Sequence, residues 1–431
     1  MVISGKNYRI NSEAMNTSAI PGLQRNLRQF LLLVLVNALV GALIGLERTL
    51  LPQLGNKQFH ISSQSVLFSF VLSFGLAKSL TNYGMTLLLP RFSRKQLLVL
   101  GWLIAIPVPF LLMFAQSWWW IIAANILLGI NQGMAWSATV IMKVDLAGPR
   151  QRGLAMGINE FAGYAALGLA AFLSGKLAAQ YGIVFFPFIP ALFFVGLGLF
   201  LSWWLVKDTR AFVQTESESS RLPQYPRLMK TISWQHRNMG TTTINGMINN
   251  LNDGVVWVVL PLILTQRGYT LSTIGLIAGI YPAVWGLAQL WTGRLGDLFC
   301  KKQLLIMGMT LQSIALVLLA WHSPVYGSML AAVLLGLGTA LVYPNMLSLV
   351  AQELHPQQRA AGLSIFRFWR DSGYVFGALL AALLSKHLGL ENILLVVAVL
   401  TLGGALLAQY RMCCTQKLLW KTNTCAEALF Y

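Results

Sequence analysis

A few groups able to carry charge stand within long apolar stretches of this sequence: Glu160, Asp253, Glu47, Arg367, Arg370 and Asp371. In hydrocarbon an ionisable side chain costs about 2.5–3.5 kcal/mol on the insertion scale, so such groups turn toward a bundle interior and mark a pathway for ions or solutes. Glu160, Asp253 and Glu47 are the candidates for taking up and releasing a proton. Arg367 and Asp371 are four residues apart, which puts them on one helix face as a pair and leaves Arg370 over. A contact from Glu160 to Arg370 or Arg367 across an interior changes strength when a proton or an anionic solute arrives, and can therefore bias two states. Asn245, Asn249 and Asn252 follow i, i+4, i+7 spacing. That is one helix face, expected to line a cavity in which amides hold a hydroxylated or zwitterionic solute. Asn131 and Gln132, near mid-bilayer, with Trp136 and Tyr343, complete the expected lining, and Lys78 is expected to snorkel or pair.

Membrane-spanning helices must position these groups. Hydrophobic residues make up 56% of 431 positions and charged residues only 10%, outside the range of water-soluble domains. Twelve apolar runs of about 20 residues, each long enough to cross ~30 Å of hydrocarbon, lie between residues 29 and 410. The net charge of +18 is distributed over short loops rather than gathered on one polar face, which argues against nucleic-acid binding. Arg91, Arg94, Lys95, Arg150, Lys301, Lys302 and Arg359 are among the many cations on the side that carries both termini. Arg48, Lys57, Lys176, Arg267 and Lys386 fall on the other side. By the positive-inside rule both termini are cytoplasmic.

Trp118, Trp119 and Trp120, with Trp203 and Trp204, are expected as interfacial belts. Cys300, Cys413, Cys414 and Cys425 all fall on the cytoplasmic side, so no structural disulfide is expected. Only five His are present, at predicted loops or helix ends (His60, His236, His322, His355, His387), which disfavours a metal site and divalent-cation export. Residues 1–28 lack a cleavable signal pattern, so the first helix is expected to be retained. Glycines 153, 157, 163 and 168 read as close helix packing, not a phosphate cradle, and no Gly-Lys-Ser/Thr follows to serve an ATP-driven pump.

The chain is also duplicated at an offset of 207 residues. Arg94-Lys95-Gln96-Leu97-Leu98 returns as Lys301-Lys302-Gln303-Leu304-Leu305, and Gly148-Pro149-Arg150-Gln151-Arg152 returns as His355-Pro356-Gln357-Gln358-Arg359. Trp136 and Tyr343 occupy equivalent positions. Two matched hydrophobic halves are the plan of a carrier whose substrate site lies between them. The expected organisation is a tail over 1–28, a six-helix bundle over 29–206, a polar linker over 207–240, a second bundle over 241–411 and a tail over 412–431.

With its twelve helices, six-plus-six split, long central loop and basic loop between helices 2 and 3, the chain resembles the major facilitator superfamily over about residues 25–410. The family's loop signature, Gly-x-Leu-x-Asp-Arg-x-Gly-Arg-Lys, is carried in the second half by Gly293, Leu295, Asp297, Lys301 and Lys302. In the first half Thr86, Pro90 and Ser93 replace the two glycines and the aspartate, leaving Leu88, Arg91, Arg94 and Lys95. The helix 4 marker of proton coupling survives only as Gly129-Ile130-Asn131-Gln132-Gly133, without its arginine, and helix 5 lacks the Gly-Pro signature of many drug–proton antiporters.

The resemblance implies an all-α membrane protein of two pseudo-symmetric six-helix bundles. Its expected work is proton-coupled export of a small organic molecule, with no enzymatic activity and no cofactor, as a monomer in a bacterial inner membrane. Asp297 is expected as a gate residue that engages the start of helix 5 near Arg152. A non-transporting sensor with a carrier fold is the alternative from another class.

Overall fold

The structure, a computed structural model, describes residues 19–48, 50–61, 69–321, 324–384, 388–414 and 416–422. His322, Lys386, His387 and Cys425 lie outside them. Long, mostly apolar runs become helices, and caps or glycines mark several of their ends. Ser93 and Gln96 form a reciprocal capping box at the start of the third long helix. Gly148 and Gly182, at φ +73° and +92°, terminate the fourth and fifth.

Numbered in chain order, the long helices of the first half are α1 (Leu27–Arg48), α2 (Ser69–Leu88), α3 (Arg94–Ala105, prolonged as Pro107–Met113) and α4 (Trp118–Asn131, Gln132–Trp136, Ser137–Ala147), then α5 (Arg152–Tyr181) and α6 (Ile189–Phe200, prolonged as Leu201–Leu205). Those of the second half are α7 (Arg237–Gln266), α8 (Leu271–Leu298), α9 (Lys301–Ala320), α10 (Val325–Glu353), α11 (Pro356–Leu384) and α12 (Leu390–Arg411). The linker contains a helix over Arg210–Ser219.

Packing follows the duplication. In the first half α1 lies on α5 and α2 on α4, and in the second α7 lies on α11 and α8 on α10. Glycines permit the closest of these approaches: Gly41 and Gly45 of α1 abut the Gly163 and Leu167 carbonyls, and Gly373 and Gly377 of α11 abut those of Met247 and Leu251. The halves meet through α5 on α8 and α2 on α11, contacts that exchange with one another under the pseudo-twofold relation.

Among the described residues, ten spans are long and apolar enough to cross a membrane. α2 and α11 fall short of that hydropathy because they carry Lys78 and Asn82, and Arg359, Arg367, Arg370 and Asp371. Both lie at the interface between bundles, where polar groups find partners instead of lipid.

Two sequence expectations fail at the periphery. Trp118 is a core residue rather than a belt anchor: it is buried, donates to Ser69 Oγ at 2.9 Å and meets Phe59 and Phe70 edge-on. Trp119 at 75% exposure and Trp203 and Trp204 do face outward. A disulfide joins Cys300 and Cys414, and Cys413 is also disulfide-bonded. The C-terminal tail folds back against the start of α9, pairing Phe299 with Lys417 and bonding the Cys300 N–H to the Lys417 carbonyl at 2.9 Å. Spacing along the chain carried no sign of this return.

Candidate functional site

The buried charges of α2 and α11 assemble around Asp371. Its Oδ1 lies 2.9 Å from Arg370 Nη1, 3.3 Å from Lys78 Nζ and 3.3 Å from Asn250 Nδ2, and its Oδ2 accepts from Asn82 Nδ2 at 2.8 Å. Asn82 in turn accepts from Ser137 of α4 at 2.5 Å. One carboxylate thus ties α2, α7 and α11 together, crossing the boundary between halves. The partner chosen differs from the sequence expectation. Arg370 and Lys78 hold Asp371, and Arg367 makes no ion pair among the described residues although it is buried. Helical spacing permits the Arg367–Asp371 pair, but cations from the same and the opposing helix occupy the carboxylate first.

Across the interface, Glu160 of α5 is fully buried. Its Oε1 accepts from Trp136 Nε1 at 3.2 Å and Asn159 Nδ2 at 2.6 Å, whereas Oε2 has no hydrogen-bond partner among the described residues. Arg367 and Arg370 are within electrostatic reach but do not contact it, so the expected Glu160–Arg370 pair is not formed in this state. The repeat is nevertheless visible in the chemistry. Trp136 of α4 serves the charge on α5, and Tyr343 of α10 serves the charge on α11, its ring lying 3.6 Å beneath the Arg370 guanidinium.

Buried polar atoms are normally paired, and clusters of unpaired ones call for an explanation. Here Gln132 Oε1, Glu160 Oε2, Arg367 Nε and Nη1, and Arg370 Nε and Nη2 are all buried without hydrogen-bond partners among the described residues. Gln132 lines a cavity of about 40 Å³ between the halves, together with Lys78, Trp136, Tyr164 and Tyr374. That space holds a few waters and no organic solute, so the chamber is contracted in this state. A five-residue widening of the α4 helix over Gln132–Trp136 aims these two side chains inward, a device frequent at functional sites. A larger hollow of about 950 Å³ opens between α1 and the linker, beside Arg25, Arg28 and Lys207, away from these charges.

The α7 asparagines divide differently from expectation. Asn249 and Asn252 both bond to Gln312 of α9, each at 2.9 Å, and Asn245 packs on Gly404 of α12. Their stripe therefore joins helices within the second bundle. The neighbouring face of α7 looks inward, with Asn250 on Asp371 and Asp253 accepting from Trp257 at 2.7 Å, Tyr281 at 2.8 Å and Tyr374. Asn131 bonds to the Gly101 carbonyl of α3 at 2.9 Å, and Glu47 accepts from Asn125 at 3.3 Å inside the first bundle. Asn82 and Asn250 were not singled out from the sequence. The i, i+4 spacing of Asn82 from Lys78 was the available signal for the first.

On the face that carries the linker the halves are closed. Gly153 and Gly157 of α5 press on Gly293 and Gln289 of α8, an approach that side chains would block. Asp297 Oδ1 and Oδ2 accept from the Gly153 and Leu154 N–H groups at 2.7 and 2.8 Å, so a carboxylate of one half caps the positive start of a helix in the other. Arg152 does not touch Asp297; its guanidinium turns to Glu216 of the linker at 2.6 Å.

Comparison with known proteins agrees with this architecture. A profile of the Major Facilitator Superfamily matches residues 30–236 and 242–418. An uncharacterized MFS-type transporter of Salmonella typhimurium is 25% identical over 382 residues, 84% of this chain and 91% of that protein. Multidrug resistance protein MdtG of Yersinia enterocolitica is 25% identical over 314 residues, 71% of this chain and 73% of that protein. Among solved structures, the human organic anion transporter MFSD10 (TETRAN) superposes with a TM-score of 0.73 at 16% identity, over 89% of this chain and 99% of that one. FucP in its outward conformation gives 0.71 at 12% identity, over 89% and 98%. This chain, a secondary transporter in plan, belongs to the major facilitator superfamily.

Proposed function

We propose that the protein is a proton-coupled carrier that exports a small organic solute by alternating access, as a monomer, with the linker face cytoplasmic in a bacterial inner membrane. The observation that carries this reading is Glu160: a fully buried carboxylate with one free oxygen, at the boundary between the halves and beside two arginines with unpaired guanidinium nitrogens. Adding a proton there changes the charge of the interface, and an ion can shift an equilibrium only through such a difference between states. The basic loops support the orientation. The Cys300–Cys414 pair stands on that same face, and a reducing cytoplasm would keep it as thiols. The direction of transport follows the relatives named for multidrug resistance. Asp297 is the gate on the linker face, and its loss is expected to raise access to the chamber from that side, read by labelling a chamber thiol.

Electrostatics fixes the sign of coupling. A cationic or hydrogen-bonding solute competes with the proton for Glu160, so the two move in opposite directions. An anion held by Arg367 raises the affinity of Glu160 for a proton, so the two move together. The unpaired Arg367 atoms favour this second reading, as does the likeness to a protein named as an organic anion transporter. In weakly buffered proteoliposomes, solute flux is expected to drive an opposing proton flux for the exporter and a parallel one for the anion carrier. Solute movement without proton movement would remove proton coupling from the account.

A further inference from the structure

We infer that Glu216, on the linker, is a gating residue of the transport cycle: its one carboxylate clasps Arg152 of the first half and Arg359 of the second while the linker face is closed. Glu216 Oε1 lies 2.6 Å from Arg152 Nη2 and 2.7 Å from Arg359 Nη2, and its Oε2 accepts from Arg359 Nη1 at 2.8 Å. The two arginines are separated by 207 residues, the offset of the duplication; Arg152 begins α5 and Arg359 lies in the first turn of the equivalent helix α11. Both also donate to the Ala351 carbonyl at the end of α10, at 3.4 and 2.9 Å. A single acid therefore sits where the pseudo-twofold relation brings two copies of one arginine together.

The asymmetry of the loop signature explains why a third party is used. In the second half Asp297 reaches across to the start of α5. Its equivalent in the first half is Pro90, which has no carboxylate to offer the start of α11. Glu216 supplies that missing negative charge from the linker and holds Arg359 there. Arg152 and Arg359 are almost fully buried, and the Glu216 side chain is 14% exposed, so these charge-assisted bonds are little screened. Burial raises the Glu216 carboxyl, but Arg359 and Arg152 outweigh burial and hold it below the ordinary carboxylate range. It stays ionised at neutral pH, and the clasp is therefore made and broken by conformation. When the bundles part on this face, one carboxylate cannot follow both arginines.

The inference rests on the alternating-access reading proposed above. The test is the distance between nitroxide labels at exposed Arg91 and Arg294, on opposite halves of the linker face, in a chain whose cysteines are replaced by serine. Glu216→Gln is expected to raise the open-to-closed ratio about tenfold, the size of a lost charged hydrogen bond. Asp208→Asn removes a linker carboxylate whose partners among the described residues, the Lys95 N–H and the Arg210 N–H and guanidinium, are in the first half or the linker itself, and is expected to leave the ratio unchanged. A Glu216→Gln distribution matching wild type, or an equal shift in Asp208→Asn, would overturn the clasp. A wild-type chain fixed at one distance under every proton gradient would instead count against alternating access itself.

Discussion

Glu160→Gln is expected to lower proton-driven solute accumulation in proteoliposomes by about tenfold or more, equivalent to at least ~1.4 kcal/mol, while solute exchange at equal pH continues. The amide keeps the volume of the side chain and an acceptor for Trp136 Nε1 and Asn159 Nδ2, so the local packing survives. What it removes is the ability to change charge. In the wild type, the free Oε2 is the one position among these buried groups where a proton alters the balance with Arg367 and Arg370 without first breaking a bond. Exchange needs only that the loaded carrier rock between two faces, whereas accumulation needs a charge that differs between outward and return strokes. Retained accumulation in this variant would take Glu160 out of the mechanism.

Asp371→Asn is expected to have the largest effect on stability, lowering the thermal midpoint of the purified protein through a loss of about 3–5 kcal/mol, the usual result of breaking a buried pair from one side. Lys78 and Arg370, both almost fully buried, would lose their shared counter-charge. The amide also turns donor groups toward Asn82 Nδ2 and Asn250 Nδ2, which now donate to the carboxylate. Because the cations cause most of the cost, Lys78→Met in the same chain should recover part of the loss. The double-mutant cycle measures that coupling directly. Equal midpoints for Asp371→Asn and wild type would show that the cluster holds no net stabilising charge pair.

Much of this arrangement is legible in the sequence because hydrocarbon makes polarity rare. Twelve apolar runs predict twelve long helices, and the few charges inside them lead to α2, α5, α7 and α11. The 207-residue offset pairs Trp136 with Tyr343, and each lies against a buried charge of its own half. It also pairs Arg94 with Lys301, and the structure gives these equivalent partners: Arg94 forms an ion pair with Asp145 at 3.0 Å, and Lys301 donates to Gln352 at 2.8 Å.

Rotation about a helix axis was harder to read. α7 is polar on two adjacent faces, so the stripe of Asn245, Asn249 and Asn252 could not be told from the stripe of Asn250 and Asp253 by periodicity. The first joins α7 to α9 and α12, and only the second enters the interface. Partner choice was equally hidden. Asp371 has four cationic or amide neighbours, from three helices, and spacing along α11 reports on only one helix. Glu216 lay in a polar linker that nothing in the sequence tied to either bundle, and the fold-back of the C-terminal tail onto Cys300 spans more than a hundred residues.

Opening of the charged chamber to each face in turn is the step on which the proposed function depends. It is tested most directly by a single thiol in place of Gln132, whose side-chain oxygen is buried and unpaired beside the chamber, in a chain otherwise free of cysteine. A membrane-impermeant maleimide is applied from one side or the other of oriented vesicles. The account predicts labelling from both sides, in shares that move with the proton gradient, and a larger share from the linker side in Asp297→Asn. Labelling from one side alone, unmoved by the gradient or by loss of Asp297, would contradict it.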